Sequence, residues 1–224
     1  MRAPEKIRAF FPAMLEAFGP QGWWPGETPF EVCVGAILTQ NTNWRNVERA
    51  IQNLKRAGPL TPEALWQLPL ERLAELIRPA GYFRIKAGRL RNFLALLVND
   101  FDGSLDRLFA LHAADLRERL LAVRGIGRET ADSIVLYAAE RPVFVVDAYT
   151  LRIAFRHSLV DQDCDYDTLQ EAFTSALQAD VAAFKEYHAL LVRVGKLHCK
   201  KQAPLCDGCP LRSFLESGEP RESL

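Results

Sequence analysis

Apolar residues recur along this chain at three- and four-residue spacing almost throughout, the period of helices with one buried face. Ile7, Phe10, Phe11, Met14, Leu15 and Phe18 form the first such face, which Gly19-Pro20 ends. Thr28-Pro29 opens a second helix through Phe30, Val34, Ile37 and Leu38, and Asn43 caps a third that stops at Gly58-Pro59. Two short helices follow, from Thr61-Pro62 and over Leu70–Ile77. A long one covers Ile85–Phe101, and others begin at Ser104 and Ala113. Glu129–Ala139, Asp147–Arg156, Tyr166–Leu177 and Ala182–Leu197 complete the helical set. Only Val143–Val146 reads as strand, too short and solitary for a sheet. The pattern predicts an all-α protein without internal repeats.

Composition changes this picture little. The chain has 224 residues, 49% hydrophobic and 25% charged, as in globular proteins with a real core. Lys and Arg number 28, and so do Asp and Glu, so a surface for nucleic acid must come from a local cluster. No apolar run is long enough to span a membrane. Met1–Lys6 lacks an apolar signal core, so a cytoplasmic protein is expected. Its thiols are then expected to be reduced.

Three features carry chemistry. The first is Val123-Arg124-Gly125-Ile126-Gly127-Arg128-Glu129. Two glycines one residue apart predict a tight turn between helices, with φ values closed to other residues. The N–H groups opening the second helix then offer an anion site, and Arg124 and Arg128 add positive charge. The second is Asp147 after Val145-Val146. Asp there is a favoured helix cap, and the same carboxylate can orient water or stabilise a developing oxocarbenium ion.

The third is the run Cys199-x6-Cys206-x2-Cys209, a spacing that suits zinc or an iron–sulfur centre. A full set of cysteine ligands for a cubane cluster needs a fourth, which is absent, so three readings stay open: a 4Fe-4S cluster completed by another ligand, an incomplete cluster, or a metal-free loop. Cys33 reads as core. Among the aromatics, Trp23 and Trp24 are adjacent between Gly22 and Pro25, and Trp44 follows Thr39-Gln40-Asn41-Thr42-Asn43. Neighbours on a loop do not readily share one core face, which leaves base stacking open beside simple packing.

The order of hairpin, aspartate and cysteine loop resembles the helix-hairpin-helix DNA glycosylases of the endonuclease III type, over residues 28–215. Gly81-Tyr82-Phe83 with Lys86-Ala87, and Gly195-Lys196 before Cys199, are similar to further family segments. The resemblance implies two lobes with a DNA cleft between them: residues 28–140 as a helical barrel with the hairpin, and residues 1–27 with 141–224 as the other lobe. It implies Asp147 as the catalytic carboxylate and Gln40 as the wedge filling the gap left by an extruded base. Gly125, Gly127, Arg124, Arg128 and Lys196, with Lys200 and Lys201, would meet phosphates.

Endonuclease III has a lysine nucleophile where this chain has Glu129, and a carboxylate cannot form an imine. The adenine-excising branch has a glutamate where this chain has Gly35. Glu129, the Trp23-Trp24 pair and Leu38–Thr42 are most similar to the 3-methyladenine DNA glycosylase III branch. The expected activity is therefore monofunctional excision of alkylated purines from double-stranded damaged DNA, by a monomer with Trp23, Trp24, Trp44 and Glu129 at the base pocket. Another lesion specificity, or a non-catalytic DNA-binding role, stays open. Leu215 stands at the family's fourth cluster position, with His198 and Glu216 nearby in sequence.

Overall fold

Among the described residues, seven helices begin at a side chain that accepts a hydrogen bond from the backbone three residues on: Thr28, Asn43, Thr61, Ser104, Asp147, Asp165 and Asp180. Each such cap stabilises its helix by about 1 kcal/mol. These residues explain why the helix starts follow the sequence pattern closely in a computed structural model of the protein. The structure describes residues 1–216 and 218–222, and no β-strand occurs among them.

One unit comprises residues 24–141. It contains α2 (Pro29–Leu38), α3 (Trp44–Ala57), α4 (Pro62–Gln67), α5 (Leu70–Leu76), α6 (Phe83–Phe101), α7 (Leu105–Phe109), α8 (Ala113–Leu121) and α9 (Arg128–Ser133). Ile37, Leu38, Leu90, Phe93, Leu94, Leu97, Val135 and Leu136 form much of its core. Lys86 is buried among them, and its ammonium donates to the carbonyls of Leu38 and Ala80, each at 2.8 Å. Burial, and then the charge of Arg89, lower its pKa to about 8.

The helix after the hairpin differs from the regular one that its spacing predicts. α9 gives way to a π-helical segment, Ile134–Ala138, where Ala139 N–H bonds the Ile134 carbonyl at 3.0 Å. The wider turn is uncommon and often marks a functional position. Tyr137 lies on it.

The other unit comprises residues 1–23 and 142–224. It holds α1 (Ala3–Phe18), α10 (Ala148–Arg156), α11 (Tyr166–Ala176) and α12 (Val181–Leu197). The run Val143–Val146 is not in a ladder. Phe144, Val145 and Val146 are buried, with Phe144 stacked on Phe173 (4.6 Å between centroids) and meeting Phe184 edge-on. Gln170 satisfies the Phe144 carbonyl at 2.6 Å.

Candidate functional site

The hairpin joins α8 to α9 through Gly125 and Gly127, and the two glycines differ in kind. Gly125 has φ +98°, and a Cβ there would lie 2.4 Å from Arg89 Cγ. Gly127 has φ −94° and open space where a Cβ would sit, so its backbone is not closed to other residues. That corrects the expectation for the pair: one glycine suffices for the turn, because only one residue turns left-handed. Gly127 caps α9 without a side-chain bond to the helix. Arg124, Arg128 and Glu129 are exposed.

Gln40 is tied into this turn. Its amide donates to the Gly125 carbonyl (3.1 Å) and to Thr130 Oγ1 (2.9 Å), while Arg89 donates to its Oε1. Arg117 grips Asp132 by two bonds, of 2.6 and 3.2 Å, and so joins α8 to α9; Asp132 is fully buried. Neither Arg89 nor Arg117–Asp132 carries a sequence motif. Tyr82, in the family-like segment Gly81-Tyr82-Phe83, has a placement that the segment does not announce. It is 68% exposed with φ +45° at the start of α6, in the same unit. An aromatic held outward in a strained conformation is a signal only coordinates provide.

The two adjacent tryptophans part company. Trp24 meets Trp44 edge-on (5.3 Å, 87°) and Tyr137 at a tilt (5.3 Å, 56°). It lies against Gly35, where a Cβ would be 3.1 Å from its Nε1. Gly35 therefore leaves room for an indole beside α2. Trp23 belongs to the other unit, and the Lys196 ammonium lies over its ring at 5.7 Å.

Asp147 caps α10. Its Oδ1 accepts from Thr150 N–H (2.7 Å) and Oγ1–H (2.9 Å), and its Oδ2 lies 3.7 Å from His188 Nε2. Burial pushes the carboxyl's pKa up, but contact with His188 and the bonds from Thr150 outweigh it and leave the value below the ordinary one. Gly195 permits α12 to pack beside this helix: a Cβ there would fall 2.2 Å from Tyr149 Cδ1.

Cys199, Cys206 and Cys209 line one cavity, with Leu215 and His157 also in its wall. Arg156 donates to Cys199 Sγ (3.2 Å) and to the carbonyls of Lys200 (2.5 Å) and Lys201 (3.1 Å). Arg152 holds the Cys199 carbonyl at 2.7 Å. Burial raises the Cys209 thiol to about 11 and, with the neighbouring Cys199, raises Cys206 as well. His157 is buried, and burial followed by the Lys6 charge lowers its pKa to about 4. Among the described residues, no three His, Cys, Asp or Glu side chains are arranged to hold a single metal ion. Cys33 is core, and burial raises its thiol pKa strongly.

An all-helical chain with a glycine-turned hairpin bearing exposed arginines is a helix-hairpin-helix protein. This chain belongs to the HhH-GPD superfamily of base excision DNA repair proteins, whose pattern matches residues 34–179. It is 45% identical over 215 residues to the "Putative DNA repair glycosylase MJ1434" of Methanocaldococcus jannaschii, covering 95% of this chain and 97% of that one. Its fold is similar to endonuclease III in a non-covalent complex with DNA (TM-score 0.82, 24% identity, 97% of each chain). It is also similar to the H. pylori 3-methyladenine DNA glycosylase MagIII bound to 1,N6-ethenoadenine (TM-score 0.74, 28% identity, 88% of this chain and 98% of that one). Among the described residues, no helix is long and apolar enough to cross a membrane.

Proposed function

We propose that this protein is a monofunctional DNA N-glycosylase that excises alkylated purines such as 3-methyladenine from double-stranded damaged DNA. The observation that carries the reading is the aromatic group in which Trp24, lying against Gly35, meets Trp44 and Tyr137. A methylated purine is cationic and already a good leaving group. The site need not protonate it, and aromatic faces favour its charge. The likeness to a 3-methyladenine DNA glycosylase at 28% identity supports the same reading.

The remaining groups fit this chemistry. The hairpin of Gly125 and Gly127, with Arg124 and Arg128, takes phosphate and positions the duplex without reading sequence. Gln40 and the exposed Tyr82 are the candidates for filling the gap when the base leaves the stack. Asp147, kept ionised beside His188, supplies the carboxylate that steadies the developing oxocarbenium ion or orients water. Glu129 stands at the hairpin position of the lysine nucleophile, so the protein releases the base and stops.

The cysteine loop supports an iron–sulfur cluster, because three thiols at a suitable spacing line one cavity. A cluster takes each thiolate on a different iron, and the three cysteines share one cavity wall. When bound, it would supply a rigid brace for the loop of Lys200 and Lys201, which follows Lys196 at the end of α12.

The test is release of free base, and formation of abasic sites, from duplexes each carrying one lesion from a panel of alkylated, oxidised and mismatched bases. Release confined to alkylated purines is expected. Preference for an oxidised or mismatched base would replace the substrate assignment, and binding without release would replace the enzymatic one.

A further inference from the structure

We infer that His157 is the fourth protein ligand of the cluster, in place of the cysteine that Leu215 displaces. This inference rests on the proposal that the cysteine loop binds an iron–sulfur cluster. His157 lies in the wall of the cavity that Cys199, Cys206 and Cys209 also line. Its side chain is 7% exposed, and Nδ1 has no hydrogen-bond partner. A buried ring nitrogen without a partner is costly. An iron atom would use the same lone pair.

Packing and a backbone bond hold the ring in place. Phe10 meets it edge-on at 5.1 Å. Lys6 donates to the His157 carbonyl at 2.9 Å and to Glu216 at 3.0 Å, which fixes the backbone at the end of α10. The preceding residue, Arg156, donates to Cys199 Sγ, so the last residue of α10 and the residue after it bring a cation and an imidazole to the cavity.

His198 is the competing ring: it shares the cavity wall, its Nδ1 faces the Leu205 carbonyl at 3.3 Å, and its ring stacks on Phe18. It differs from His157 in being less buried and in having no orphaned buried nitrogen. Glu216 pairs with Lys6. Cys164 has its thiol on the Asp165 carbonyl at 3.4 Å. Three cysteines and one histidine would give the cluster one less negative charge than four cysteines, and a higher reduction potential.

The experiment uses full-length protein purified without oxygen. Iron and sulfide are assayed, and the reduced cluster is examined by pulsed electron paramagnetic resonance for nitrogen coupled directly to iron. The expected result is a four-iron cluster with histidine-type coupling that His157→Ala abolishes and His198→Ala leaves intact. If His157→Ala fails to fold, His157→Cys decides: it should retain four irons, lose the coupling and shift the reduction potential downward. A four-iron cluster without the coupling, or coupling that survives His157→Ala or His157→Cys, overturns the assignment to His157 while leaving the cluster. A three-iron cluster in the parent protein does the same. Folded protein free of iron overturns both the assignment and the cluster.

Discussion

Asp147 Oδ2 lies 3.7 Å from His188 Nε2, while Asp147 Oδ1 is held by Thr150. The two oxygens of one carboxylate are thus divided between a helix cap and a histidine. Burial alone would raise this carboxyl's pKa, yet it sits below the ordinary carboxylate value. The sign of the pH effect follows. A lowered folded pKa gives stabilisation that is complete above the unfolded value, about 3.9, and is lost as pH falls through the folded one. Ionised Asp147 therefore persists through mildly acidic conditions. Base release is expected to hold down to that range, with the acidic limb moving upward in His188→Gln. Single-turnover release measured across pH checks this, and an unmoved limb would remove His188 from the role. Asp147→Asn is expected to lose most base release, about 100-fold or more, while DNA affinity is retained.

Glu129 opens α9 as an exposed carboxylate. Base removal should leave the strand intact, and borohydride should trap no covalent protein–DNA adduct. Denaturing gels of an alkylated duplex, with and without later alkaline cleavage, separate the two steps. A strong trapped adduct would show an amine nucleophile elsewhere at the site.

The glycines of the hairpin offer a paired test. Gly125→Ala puts a methyl against Arg89 in a left-handed backbone, where conformation alone costs roughly 1–2 kcal/mol. Gly127→Ala meets open space at an ordinary φ. Denaturant midpoints should fall clearly for the first and little for the second. Equal losses would mean that the turn needs both glycines for another reason.

Lys86→Met leaves the carbonyls of Leu38 and Ala80 without their donor. Each orphaned group costs about 1–3 kcal/mol. Urea unfolding should show a loss of at least about 2 kcal/mol, since two groups are affected. A neutral result would mean that the carbonyls find water.

Helix ends were legible because caps are local: Thr28, Asn43 and Asp165 each bond a backbone three residues away. The hairpin, Asp147 and the cysteine run were legible as spaced residue types. The bonding roles of Lys86, Arg89 and Arg117 were not, because their partners lie 15 or more residues off or are carbonyls, which any residue supplies. The π-helical segment escaped because its residues, Ile134–Ala138, carry an ordinary helical apolar pattern. Adjacency suggested a shared role for Trp23 and Trp24, but packing assigns them to different units. His157 escaped for a related reason: a missing hydrogen bond has no sequence signature.

The division of the tryptophans leads to a final prediction. Trp24 stands with Trp44 and Tyr137, whereas Trp23 carries the Lys196 ammonium. If the aromatic group receives a cationic base, losing one face removes about 0.5–2 kcal/mol of cation–π attraction. Trp24→Leu keeps an apolar side chain against Gly35 but lacks the π face. It should slow release of a cationic methylated purine by roughly 2- to 30-fold, from the same range of attraction. Release of a neutral alkylated purine should slow less. Trp23→Leu should leave that ratio unchanged, and weaken duplex binding mainly at low salt if Lys196 meets phosphate. Single-turnover rates on the two lesions, measured for both variants, give the comparison. An equal loss on cationic and neutral bases in Trp24→Leu would show that the pocket selects by shape and not by charge.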